Sequence, residues 1–236
     1  MNDRLKALIE HIHTRSAAPS ERLLVAIAGV PAVGKTTLAR QLAQALPNCS
    51  RVSMDGFHLD NQILKDLDLI DRKGAPETFD LDGFVALLNR LKTRSAIYVP
   101  DFDRATERSI NCAQWIPDHH DILVVEGNYL LLDETGWREL QSCWDISVFL
   151  TADFSVIEQR LIDRWLSFGF SDQEAHQKAH LNDIPNAKRI LDHALAADWV
   201  LQTDEPSAES STSDAPRPFG NHNIVKLWWQ RWQRPA

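Results

Sequence analysis

The stretch Leu23-Leu-Val-Ala-Ile-Ala28, followed by Gly29-Val-Pro-Ala-Val-Gly34-Lys35-Thr36, decides the fold. The uninterrupted apolar run reads as a strand covered on both faces. The next residues fit G-x-x-x-x-G-K-[ST], and a helical pattern with Leu38, Leu42 and Leu46 on its inner face follows directly. Gly29 and Gly34 let the backbone curl, so that successive N–H groups point at phosphate oxygens. The following helix adds its positive end. Lys35 supplies a point charge for the β- and γ-phosphates, and Thr36 a hydroxyl for Mg²⁺. Val30, Ala32, Val33 and Thr37 belong to the same cradle. The expected ligand is ATP with Mg²⁺. The loop motif leaves a kinase, a GTPase and a motor ATPase open. No N-K-x-D pattern follows a strand, which disfavours guanine recognition, and no nucleic-acid module suggests a motor.

Outward from this loop, short apolar runs alternate with helical patterns. Residues 51–55 end a second strand, 97–99 form a short strand, and 122–126 and 146–150 are continuous apolar strands, with a last one at 198–202. Helices are expected over 82–93, 153–167, 172–181 and 186–196, and over the first residues, where Leu5, Leu8, Ile9 and Ile12 have helical spacing. This alternation implies a parallel, doubly wound sheet with right-handed crossovers.

The division expected is an N-terminal helix within 1–20, one α/β domain over 21–203, a Ser-, Pro- and acid-rich linker at 204–218, and a Trp-rich tail at 219–236. The tail's Trp228, Trp229 and Trp232 are expected to pack on the domain or on a second copy in a homodimer, the alternative being a disordered or membrane-touching tail helped by Lys226, Arg231 and Arg234. The chain has 236 residues, 44% hydrophobic and 25% charged, enough for a sizeable core. Its formal net charge of -8 argues against a nucleic-acid partner, which would meet a broad basic surface. Three widely spaced cysteines read as reduced thiols, no apolar run spans a membrane, and no signal peptide opens the chain, so the cytoplasm is the expected location. His11 and His13 on the first helix, and His119 and His120 before a strand, have no carboxylate or cysteine at metal-ligand spacing, and no structural metal is expected.

A second feature is Ser53-Met54-Asp55-Gly56-Phe57-His58, just after the second strand. Carboxyl ends of strands in an open α/β sheet face the ligand crevice. A carboxylate there can take the proton of an attacking hydroxyl, or it can simply form a turn beside Gly56. Further along stand Arg72-Lys73-Gly74-Ala75-Pro76-Glu77-Thr78-Phe79-Asp80, Pro100-Asp101-Phe102-Asp103-Arg104 and Glu126-Gly127-Asn128-Tyr129. With the phosphate loop, this series resembles the P-loop kinases of the phosphoribulokinase, uridine kinase and pantothenate kinase superfamily, in the nucleoside/nucleotide kinase-like or fructose-transport-kinase-like branch. The resemblance spans about residues 20–203.

The resemblance implies a three-layer P-loop NTPase fold with a parallel core sheet of order 2-3-1-4-5 and a helical lid. It implies that Asp55 is the catalytic base and that His58, Arg72, Lys73, Asp103, Arg104 and Tyr129 lie at the acceptor. It also implies that Glu126, with Thr36, serves Mg²⁺ in part through water. Arg160 and Arg164 are four apart on a helix of the expected lid, where arginines can stabilise charge on a transferred phosphoryl group. The 180–187 segment is expected near the nucleotide. The leading expectation is therefore an ATP-dependent kinase acting on a small hydroxyl compound, a nucleoside or sugar, with pantothenate-like alcohols behind. The rivals are a regulatory ATPase without an acceptor and a binding module that has lost catalysis.

Overall fold

The computed structural model describes residues 3–15 and 21–203. The 204–218 linker and the 219–236 tail lie outside the described residues, and so do the contacts expected of the tail tryptophans. Helix α1 covers Asp3–Thr14, β1 Leu23–Gly29, α2 Lys35–Ala45 and β2 Cys49–Ser53. A 3₁₀ turn at Met54–Phe57 and a short α3 at Asn61–Asp66 lead to α4, Leu81–Leu91. Strands β3 (Ile97–Asp103) and β4 (Arg108–Ile116) come next, then β5 (Ile122–Gly127) and β6 (Ile146–Thr151). Between β6 and the last strand lie α5 (Phe154–Ser167), α6 (Asp172–Lys178), a π-helical turn (Ala179–Asp183) and α7 (Ile184–Asp192). These helices occupy the place of the expected lid, and β7 (Trp199–Gln202) closes the order.

Five strands form the main sheet in the order β2-β5-β1-β6-β7, and every pairing in it is parallel. Counted among themselves in chain order, these strands run 2-3-1-4-5. β1 and β5 are buried at every position, which is why they carry no alternation in sequence. Leu38 and Leu42 of α2, Phe84, Leu87, Leu88 and Leu91 of α4, and Ile157 and Leu161 of α5 close the core. Each such side chain contributes roughly 1.5–3 kcal/mol by leaving water. Leu8 and Ile12 of α1 join the same core. Among the described residues, no helix is long and apolar enough to cross a membrane.

The structure differs from expectation at the short strand 97–99. It is part of a longer β3 that pairs antiparallel with β4 in a separate two-stranded sheet. This hairpin is bound to the turn after β2. A Cβ on Gly56 would meet the Pro100 carbonyl oxygen at 2.7 Å, and Ser109 Oγ donates to the Gly56 carbonyl. The second strand also ends earlier, at Ser53, so Asp55 stands on the 3₁₀ turn.

At the foot of β1, buried Arg22 holds the amino end of the sheet. It donates from Nε to His120 O (2.8 Å), from Nη1 to Thr93 O (2.8 Å), and from Nη2 to Ser95 O (2.7 Å) and Pro117 O (2.9 Å). Arg22→Ala would leave these carbonyls without their donor, at about 1–3 kcal/mol for each one that stays dry. The expected outcome is a loss on the order of 3 kcal/mol in urea unfolding with an unchanged m-value. A loss below about 1 kcal/mol would show that water replaces the guanidinium.

Candidate active site

The phosphate loop joins β1 to α2. Gly29 sits at φ 144, and a Cβ there would strike the Leu150 carbonyl oxygen at 2.3 Å. Gly34 caps α2 at φ 100. Ala32 is also held in the left-handed region, at φ 61. That costs an L-residue roughly 1 kcal/mol, which the surrounding loop must offset. Lys35 is buried and donates from Nζ to Val30 O at 2.7 Å, across the mouth of its own loop. Burial pushes its ammonium down to about 8, against the opposing pull of Glu126 and Asp55.

Glu126, one residue before the end of β5, is a buried carboxylate. It accepts from Thr36 Oγ1 at 3.2 Å and from Arg51 Nη1 at 3.0 Å. Burial, then Asp55, raises its carboxyl above the usual range, while Lys35, Arg51 and Thr36 oppose the rise. A hydroxyl and a carboxylate side by side are hard oxygen donors, the set that Mg²⁺ prefers. Among the described residues, no group of three or more His, Cys, Asp or Glu is placed to hold a metal ion.

Asp55 lies beside this pair. Its amide donates to Ser53 Oγ at 3.3 Å, and its carbonyl accepts from the His58 amide at 3.2 Å. The His58 ring nitrogen Nδ1 lies 2.9 Å from the same carbonyl, which can only accept, so Nδ1 carries the proton. The Asp55 carboxylate is paired with the guanidinium of Arg104 from the β3–β4 turn. Burial alone would raise Asp55, but Arg104, with His58, Lys35 and Arg164, outweighs it and holds the carboxyl below the usual range. His58 is packed between the rings of Phe79 (4.1 Å) and Phe102 (4.7 Å), and burial depresses its pKa. Phe102 carries Lys73 Nζ at 5.0 Å and the Arg104 guanidinium carbon at 5.1 Å from its ring centre. Lys73 Nζ also donates to Asn61 Oδ1 and to Glu107 O, both at 2.8 Å.

From the lid, Arg164 Nη2 donates to Asp183 Oδ2 at 2.8 Å, which also accepts from Trp165 Nε1 at 2.6 Å. The electrostatic influence of Arg164 reaches both Lys35 and Asp55. Its Nε is buried and makes no hydrogen bond among the described residues.

Lys35, Thr36, Asp55, His58, Lys73, Arg104, Glu126 and Arg164 are thus linked by contact or by charge. Other expected site residues stand elsewhere. Arg160 does not join Arg164: its guanidinium donates to Thr203 Oγ1 (3.1 Å) and Thr203 O (2.8 Å). Arg72 is half-exposed and pairs with Glu77 at 2.8 Å. Asp103 accepts from Ala105 N (2.9 Å) and Thr106 Oγ1 (2.7 Å), building the hairpin turn that carries Arg104. Tyr129 is fully buried and donates to Gly74 O at 2.5 Å, so it anchors the 72–75 segment from behind. The 180–187 segment reaches that same segment: Asn182 Nδ2 donates to Lys73 O at 2.8 Å. Arg51 is the contributor that sequence reasoning missed. The available signal was a charged residue inside a strand of a buried sheet, a position that requires a partner.

The depressed Lys35 ammonium predicts a pH dependence. Phosphate binding needs the charged form, so between pH 7 and 9.5 the affinity for ATP·Mg²⁺ should fall on the order of tenfold. Binding should then take up a proton, seen by calorimetry in buffers of different ionisation enthalpy. Lys35 titrates lower when folded than when unfolded, so between about 8 and 10.5 the unfolded chain holds more protons. Its contribution to stability therefore rises with pH across that window. An affinity flat to pH 9.5 contradicts the burial of this charge.

A family model described as "AAA domain" matches residues 25–167. A "putative uridine kinase" of Schizosaccharomyces pombe is 32% identical over 199 residues, covering 77% of this chain and 83% of that protein. A pantothenate kinase of Enterococcus faecalis is 32% identical over 150 residues, which are 60% of this chain and only 49% of the relative. The crystal structure of a "putative fructose transport system kinase" from Silicibacter sp. TM1040 superposes with a TM-score of 0.81 at 40% identity, covering 85% of this chain and 99% of that one. With the phosphate loop, the 2-3-1-4-5 sheet and these relatives together, the chain belongs to the P-loop kinases of the phosphoribulokinase, uridine kinase and pantothenate kinase superfamily.

Proposed function

We propose that this protein transfers the γ-phosphoryl group of ATP to a hydroxyl of a small molecule, a nucleoside or a sugar. The observation that carries the reading is the carboxylate of Asp55. It lies within electrostatic reach of the loop's Lys35 and the lid's Arg164, and Arg104 keeps it ionised. The names of the relatives, a uridine kinase and a sugar-transport kinase among them, support the same class of acceptor.

In this reading the loop amides and Lys35 hold the phosphates, Lys35 exchanging the Val30 carbonyl for phosphate oxygen. The buried, unpaired Nε of Arg164 finds in the γ-phosphate an acceptor that it lacks among the described residues. Thr36 and Glu126 are the residues that would hold Mg²⁺, which neutralises phosphate charge when bound. The acceptor's oxygen attacks the γ-phosphorus, the bond to the β–γ bridging oxygen breaks, and ADP departs. The hydroxyl proton passes to the Asp55 carboxylate. To reach that carboxylate, the acceptor must share or displace the Arg104 contact. Phe102, His58 and Lys73 form the floor that it would meet.

A screen of nucleosides, sugars and pantothenate-like alcohols for ATP depletion, with product masses, tests the proposal. ADP release that depends on one acceptor, and a product heavier by one phosphoryl group, is the expected outcome. Equal ATP turnover with and without every compound would favour a regulatory ATPase.

A further inference from the structure

A second cleft, of about 500 Å³, opens beside the phosphate loop, and none of Asp55, His58, Lys73 or Arg104 lines it. Gly34 and Thr37 line it next to the loop, and so do Arg160 and Thr203, which are hydrogen-bonded to each other at 3.1 Å. Leu38 and Gln41 of α2 and Leu150 and Leu201 at the ends of β6 and β7 also line it, and α1 adds Arg4 and Leu5. This helix is docked on the domain. Leu8 and Ile12 are fully buried in the core, and the His11 ring lies 5.5 Å from that of Trp199 in β7. The first turn of α1 is thereby held over the cleft.

A nucleotide whose phosphates lie on the loop must project its nucleoside into adjoining space. This cleft shares Gly34 and Thr37 with the loop, and its size and mixed apolar and polar lining suit a small flat ligand. We propose that the first turn of α1 forms the outer wall of the nucleoside-base subsite, with Leu5 packed on one face of the base and Arg4 over its rim. The proposal rests on the nucleotide-binding reading above and adds to it an element outside the matched family model, which begins at residue 25. Arg160 takes its place in the same scheme. Fixed by Thr203, it presents its guanidinium at the base end of the nucleotide rather than at the γ-phosphate.

The test compares ATP·Mg²⁺ with tripolyphosphate·Mg²⁺, which has the phosphates but no base, by calorimetry on the full chain. Leu5→Asp and Arg4→Glu should each weaken ATP by about tenfold, the worth of a partly buried apolar or cationic contact, and leave tripolyphosphate unchanged. Arg4 is exposed, so its variant carries the test if Leu5→Asp loosens α1. Hydrogen exchange gives an independent measure: ATP should slow exchange over residues 3–14, and tripolyphosphate should not. ATP affinity within twofold of wild type in both variants overturns the proposal, and so does an equal loss for the two ligands. A wild-type protein that binds neither ligand removes the nucleotide reading itself, and the subsite falls with it.

Discussion

Lys35→Ala is expected to abolish measurable phosphoryl transfer and to weaken ATP·Mg²⁺ strongly. Lys35 is the loop's one basic residue between Gly29 and Thr37, and its ammonium is already drawn inward, 2.7 Å from Val30 O. Arg164 is held by Asp183 at 2.8 Å and Arg51 by Glu126 at 3.0 Å, so neither is placed to substitute. Losing one preorganised charge at a developing anion costs on the order of 10²–10³-fold in turnover, and the loss of ground-state binding adds to it. The fold should survive. The ammonium is buried at a desolvation cost, visible in its depressed pKa, and removing it relieves that cost while giving up the packing of its stem. Thermal unfolding within a few degrees of wild type, together with the loss of turnover, is the expected pair of results. Near-normal turnover would remove the loop from the chemistry.

Much of this architecture was legible because it depends on patterns that a single sequence carries. β1, β5 and β6 are continuous apolar runs, since both of their faces are covered. The loop is legible because its two glycines answer a backbone requirement, met here at φ 144 and φ 100. The strand order came from resemblance, not from periodicity. β4 was not legible. Most of its residues are exposed, it lies outside the core sheet, and so no burial pattern marks it. Its absence hid what Asp103 does, because a hairpin turn becomes visible only when both strands are known.

The site was legible as residue types but not as pairings. Asp55 and Arg104 are far apart in sequence, and the hairpin that joins them was the unread element. Arg160 and Arg164 share a helical face by spacing, yet α5 directs one to Thr203 and the other to Asp183. Spacing fixes a face, and the partners available along that face decide where each long side chain ends. Tyr129 belongs to a motif of resemblance, but its ring is enclosed by Phe79 and Trp137, so it supports the 72–75 segment through Gly74.

Asp55→Asn is expected to lower turnover on the order of 10²–10⁴-fold, the usual worth of a positioned base. ATP·Mg²⁺ affinity should change little, because the phosphates are assigned to the loop, Lys35 and Thr36. The fall should appear in both kcat and kcat/KM, since proton acceptance is realised mainly in the transition state. The structure weakens the view that Asp55 merely forms a turn. The turn's bonds use its amide, its carbonyl and the Ser53 hydroxyl, whereas its carboxylate is engaged by Arg104. A role in holding Mg²⁺ would make the loss shrink as Mg²⁺ is raised, and a base would not. The remaining confusion is the ion pair itself, because Asn also breaks it. Arg104→Gln separates the two. If the pair only orders the site, both variants should lose turnover alike. If Asp55 is the base, Asp55→Asn loses far more, and Arg104→Gln instead raises the Asp55 pKa by withdrawing the guanidinium that depresses it. The acid limb of its pH–rate profile should then move upward, toward neutrality. Turnover in Asp55→Asn within a few-fold of wild type would take Asp55 out of the mechanism.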